Sequence, residues 1–106
     1  MGLFDFFKSV DINKGIEEYK SSEGALLLDV RTAQEYREGH IPGSVNISLQ
    51  SIANGRAPGD NKDKQIYVYC HSGSRSRQAV SLLKSMGYTN IKNIGGIAAY
   101  RGKVER

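Results

Sequence analysis

The spacing of apolar positions changes several times along this chain, and each change marks an element. Ala25-Leu26-Leu27-Leu28-Asp29-Val30 is a continuous apolar run, the pattern of a strand buried on both faces. Ile66-Tyr67-Val68-Tyr69 repeats it with branched and aromatic residues. Val45-Asn46-Ile47 reads as a brief strand followed by a helical turn through Leu49 and Ile52, and Ile91 to Ile94 as another strand. From Arg75 the period becomes helical: Ala79, Leu82, Leu83 and Met86 recur at three and four residues, and Gly87 supplies a left-handed stop. Thr32-Ala33-Gln34-Glu35 has capping-box spacing, so a short helix is expected from Thr32 to about Gly39. A further helix is expected over Ile12 to Tyr19, and Gly95-Gly96 is expected to turn the chain into a last short helix.

Strands alternating with helices predict a small parallel β-sheet flanked by helices on both faces, an α/β fold. The longest loop-like stretch, Asn54 to Lys64, holds Gly55, Pro58 and Gly59. No repeat interrupts the chain, and 106 residues suffice for one domain, with a core of about 12–102 preceded by an apolar segment, 1–11. In that segment Leu3, Phe6, Phe7 and Val10 share helical spacing. They suit either packing on the domain's own core or docking with a partner.

Composition narrows the class. With 39% hydrophobic and 25% charged residues the chain is globular. No apolar run reaches the roughly 18 residues of a membrane span. The N-terminus lacks a basic stretch and a small-residue cleavage site, and Phe6 stands where a myristoylation signal wants Ser or Thr, so a cytoplasmic protein is expected. Fifteen Lys and Arg against 11 Asp and Glu leave a formal charge of +4, scattered rather than clustered. That charge suits small anions and not nucleic acid. Two histidines and a single cysteine offer neither a disulfide framework nor a metal site.

That cysteine is the candidate chemistry. In a parallel sheet, sites lie beyond the carboxyl ends of strands, and Cys70 stands at one. Behind it, His71-Ser72-Gly73-Ser74-Arg75-Ser76 forms a short polar loop entering a helix. Inward-turned loop amides, the unpaired N–H groups of the helix and the Arg75 guanidinium all favour a thiolate. A free thiol is only ~3% ionised at pH 7, whereas helix N-termini and nearby cations lower its pKa to roughly 3.5–7.5. The alternative is an inert buried cysteine closing a strand, but five polar or glycine residues follow it, not a core. His71 either presents an N–H to an anion or faces solvent. Ser72, Ser74 and Ser76 can hydrogen-bond a bound sulfur species, and Ser76 can equally serve the first helical turn.

The segment Cys70 to Ser76 resembles the active-site loop of rhodanese-like sulfurtransferases. Leu28-Asp29-Val30-Arg31 with Glu35 and Tyr36 is similar to the family's first signature, and Gly39-His40-Ile41-Pro42-Gly43-Ser44-Val45-Asn46-Ile47 to its second. Gly87-Tyr88 and Ile94-Gly95-Gly96-Ile97 with Tyr100 resemble the closing segment, where Tyr replaces the usual Trp. The resemblance implies a parallel-sheet domain needing no cofactor, with Cys70 as nucleophile and persulfide carrier. It also implies that Asp29 and Arg31 act in support, tying loops together through an ion pair. Four residues separate Cys70 from Arg75, one fewer than in the related phosphatases, so the loop suits one sulfur atom better than a phosphate.

The expected activity is transfer of sulfane sulfur from a small anionic donor such as thiosulfate to cyanide or a thiol. Two alternatives stand beside it: a persulfide-carrying module docking on a sulfur-trafficking protein, and phosphatase or arsenate-reductase chemistry.

Overall fold

The computed structural model describes residues 10–106. Of the apolar N-terminal series, Leu3, Phe6 and Phe7 lie outside the described residues, while Val10 is exposed. In chain order the elements are α1 (Ile12–Ser21), β1 (Leu26–Asp29), α2 (Ala33–Glu38), β2 (Ser44–Asn46), α3 (Leu49–Ala53), β3 (Ile66–Cys70), α4 (Ser74–Ser85) and β4 (Ile91–Gly96). A 3-10 turn, Ile97–Ala99, follows.

The four strands form one parallel sheet in the order β2-β1-β3-β4. The central strands β1 and β3 carry the continuous apolar runs, because only they are covered on both faces and flanked on both edges. On one face α1 packs Ile12 and Ile16 against Leu27, Tyr67, Tyr69 and Ile94. On the other, Ile52 of α3 and Ala79 and Leu83 of α4 close over Leu28, Ile66, Val68 and Cys70. No helix among the described residues is long and apolar enough to cross a membrane.

Helix starts follow local chemistry. Thr32 and Glu35 form the reciprocal capping box, and Asp11 and Ser48 cap α1 and α3 by accepting from Asn13 and Ser51 amides. Helix α4 is the exception: its N-cap is Gly73, in the left-handed region at φ 103°, with no capping side chain.

The expected last short helix is the 3-10 turn Ile97–Ala99, but the structure departs from the sequence pattern at Gly95-Gly96 before it. These residues do not turn the chain; they extend β4, with Gly95 opposite Tyr69 and Gly96 opposite Cys70. Pairing with the buried end of β3 satisfies their backbone groups, which outweighs the turn preference of two glycines. The register slips between Val68, opposite Asn93, and Tyr69, opposite Gly95, so Ile94 is the extra residue of a bulge.

Gly15 lets α1 lie close on the sheet. A Cβ there would stand 2.4 Å from Ile94 Cβ. Gly15→Ala gains about 1 kcal/mol of helix propensity but overpacks this contact by about 1–3 kcal/mol. A lower melting temperature is expected; an unchanged or higher one means that α1 shifts freely on the sheet.

Candidate active site

Strand alternation decides where the cysteine points. Along β3, Ile66, Val68 and Cys70 face the α3/α4 side, while Tyr67 and Tyr69 face α1. Cys70 is fully buried at 0% exposure, with Sγ directly under the start of α4. The Gly73 amide donates to Sγ at 3.0 Å, and Ser76 Oγ lies 3.5 Å from it.

Helix α4 lacks a capping side chain, and the sulfur takes over that role. Burial pushes the Cys70 thiol up, but hydrogen bonding with the Ser76 side chain and with the Ser76, Gly73 and Ser72 amides outweighs it, and the net shift is downward. These amides belong to the loop and to the otherwise unpaired N-terminus of α4.

Several residues fix the loop in this shape. Ser76, fully buried, donates to Asn93 Oδ1 at 2.7 Å and lies 3.0 Å from the Gly73 carbonyl. Asn93 Oδ1 also accepts from the Gly95 amide at 3.0 Å, so its side chain ties the β4 bulge to the cysteine loop. The Ala98 amide donates to the His71 carbonyl at 3.0 Å. Gly96 supplies the close approach: a Cβ there would stand 2.1 Å from His71 O and 2.5 Å from Ser72 Cα, both backbone atoms.

His71, Ser72 and Ser74 are exposed. With Gly73, Arg77 and Asn93 they line a cleft that continues to Val10, Ile12 and Ala98 on the α1 side of the sheet. A second cleft, of ≈490 Å3, lies on the cysteine's own side, lined by Val30, Thr32, Leu49, Arg75, Gln78 and Leu82 among others.

Arg75 is not a free cation. Its guanidinium donates through Nη1 and Nη2 to the two carboxylate oxygens of Glu35, at 2.7 and 3.0 Å. The fork that the sequence suggests for a bound anion is thus spent on a carboxylate 40 residues away. Hydrogen bonding to Arg75 holds the Glu35 carboxyl down at about 2, well below its ordinary value, with the Thr32 backbone and hydroxyl adding to it.

Asp29 and Arg31 form a separate buried pair. Arg31 donates to Asp29 from its amide, Nε and Nη2, the last at 2.7 Å, and Nη2 also reaches the Gly39 carbonyl at 2.7 Å. The pair thereby joins the end of β1 to the turn after α2. Neither side chain has a hydrogen bond to Cys70. Tyr69, beneath Arg31, accepts from the Ile41 amide and donates to Ser44 Oγ, anchoring the same turn.

The structure therefore brings Cys70, Ser72, Gly73 and Ser76 together around one sulfur. His71 and Ser74 stand on the outer rim, and Arg75, Asp29 and Arg31 are engaged elsewhere. Sequence reasoning passed over Asn93 and the packing role of Gly96. The available signal was an Asn two residues before Gly-Gly inside a strand pattern, which marks a bulge or a close backbone approach. No group of three or more His, Cys, Asp or Glu among the described residues is placed to hold a metal.

Comparison with known proteins agrees with this geometry. A family model described as the Rhodanese-like domain matches residues 11–103. Over 71 residues the chain is 37% identical to the thiosulfate sulfurtransferase PspE of Escherichia coli, covering 66% of this chain and 68% of that protein. Over 90 residues it is 38% identical to the putative sulfur carrier protein YrkF of Bacillus subtilis, covering 84% of this chain but only 48% of YrkF. The solved rhodanese-like domain protein from Staphylococcus aureus superposes with a TM-score of 0.76 at 26% identity, over 91% of this chain and 94% of that one. With that fold, that match and its cysteine loop intact, this chain belongs to the rhodanese-like domain family, among relatives that are sulfurtransferases.

Proposed function

We propose that the chain is a sulfurtransferase that carries sulfane sulfur on Cys70, taking it from an anionic donor such as thiosulfate and passing it to a thiol or to cyanide. The observation carrying this reading is the Gly73 amide, at the N-cap of α4, donating to Cys70 Sγ, with the Ser72 and Ser76 amides also lowering the thiol's pKa. The thiolate attacks the outer sulfur of thiosulfate, the S–S bond of the donor breaks, and sulfite leaves with its electron pair. The product is Cys–S–S⁻. An acceptor nucleophile then attacks the terminal sulfur, and the Cys70 thiolate leaves. The donors that stabilise the thiolate also suit the persulfide anion, since both place negative charge over the same helix end. Cyanide as acceptor gives thiocyanate; a thiol gives a persulfide.

A carrier reading has a specific observation behind it. Sγ has no exposed surface, and one relative is named a putative sulfur carrier. As a carrier, the chain holds the same persulfide but delivers it only to a docked protein. Intact mass after thiosulfate treatment should rise by one sulfur atom and return to the starting value on reduction. Steady-state thiocyanate formation then separates the enzyme from the carrier. A chain that gains no reducible sulfur from any donor fails both readings.

A further inference from the structure

The cleft on the cysteine's side of the sheet carries one charged residue among its described lining, Arg75, and that charge is already paired. The rest of the lining is apolar, as at Val30, Leu49 and Leu82, or neutral and polar, as at Thr32, Ser48 and Gln78. Val30, Leu49 and Leu82 also belong to or pack on the apolar cluster that contains Cys70. The cleft therefore lies over the face to which strand alternation directs Sγ. The larger cleft, with His71 and Arg77, borders the outside of the loop on the α1 side.

We infer that Glu35 is a specificity-setting positioning residue: by clamping Arg75 it keeps the cleft on the cysteine's face of the sheet electrically neutral, so that among acceptors a thiol with an uncharged body is favoured over an anionic one. This rests on the reading of Cys70 as the sulfur carrier and names the acceptor class of that site. Three features of the pair support it. It is bidentate, joining both oxygens of one group to both terminal nitrogens of the other, which fixes orientation as well as charge. It bridges two segments, because Glu35 Oε1 also accepts from the Thr32 amide and hydroxyl in the α2 capping box. It remains charged on both sides through the physiological range, since Glu35 ionises near pH 2. Loss of Glu35 would leave the guanidinium free at the cleft, one residue beyond Ser74.

The test reads charge selection at Cys70 without any sulfur transfer. Cys70 is the sole thiol, so alkylation of the intact chain reports one site. The rate with iodoacetate, an anion, is divided by the rate with iodoacetamide, its neutral analogue; access and thiolate fraction cancel in the ratio. Glu35→Gln should raise this ratio about three- to tenfold at low salt, and the rise should shrink as ionic strength increases. Arg75→Gln should move it the opposite way, below the wild type, because Glu35 then stands unpaired. Glu35→Asp, which keeps the charge, should stay near the wild-type ratio. Equal ratios in folded Glu35→Gln and wild-type chains overturn the inference, as does a parallel fall of both rates with the ratio unchanged. If Glu35→Gln does not fold, Arg75→Gln decides the matter, and a ratio at or above wild type overturns it. A wild-type chain that takes up no sulfur from thiosulfate instead defeats the function proposed above and leaves this ratio readable.

Discussion

Cys70→Ser is expected to take up no sulfur from thiosulfate at any pH while remaining folded. A hydroxyl cannot form the persulfide, and its pKa leaves it neutral where the thiolate is already present. The fold should tolerate the change, because the Gly73 amide that donates to Sγ finds an oxygen acceptor in its place. The remaining cost is a polar atom facing the Leu28, Val30 and Val68 cluster, about 1–2 kcal/mol. The matching measurement on the wild type is the iodoacetamide rate against pH. The loop covers Sγ, so the absolute rate is slow, but the midpoint reports the thiolate. It should fall below that of a free thiol, because the helix-end donors overcome burial. Reactivity is then retained as pH falls from the free-thiol value and lost only on passing the lowered one. A midpoint at or above the free-thiol value means that burial wins and the nucleophile is not prepared.

Gly96→Ala should nearly abolish sulfur loading although it alters no group that touches sulfur. The added methyl would occupy the space of the His71 carbonyl and Ser72 Cα, and neither is the yielding end of a side chain. Either β4 moves away from β3 or the cysteine loop lifts. Both separate the Gly73 amide from Sγ, since Gly96 pairs with Cys70 itself. A displacement of about 1 Å at a reacting centre costs on the order of 10²-fold in rate, and overpacking adds about 1–3 kcal/mol of destabilisation. The loading rate followed by intact mass, with the melting temperature beside it, distinguishes the two effects. Loading at the wild-type rate would show that the contact does not hold the loop in shape.

These predictions divide between what the sequence carries and what it does not. The apolar runs of β1 and β3, the Thr32–Glu35 capping box and the α4 stripe of Ala79 and Leu83 are local signals, and each stands where its pattern places it. Local periodicity is legible because it reports which face of an element is buried. From it follow the α/β class, the parallel sheet and the position of Cys70 at a strand's carboxyl end.

Tertiary structure decided how the charges and hydrogen bonds are spent. Arg75 stands beside the cysteine loop in sequence, yet its partner is Glu35, brought to it by the pairing of β1 with β3. Asn93 reaches Ser76 and Gly95 only because a bulge in β4 turns its amide under the loop. Gly95-Gly96 carries a turn signal, but the backbone needs of β3 and the space taken by the His71 carbonyl make it strand. The physical reason is the same in each case. Burial along one element is a property of its own side chains, whereas a hydrogen-bonding or charged group takes the partner that the assembled sheet presents, at distances in sequence of 17 to 40 residues for Ser76–Asn93 and Glu35–Arg75.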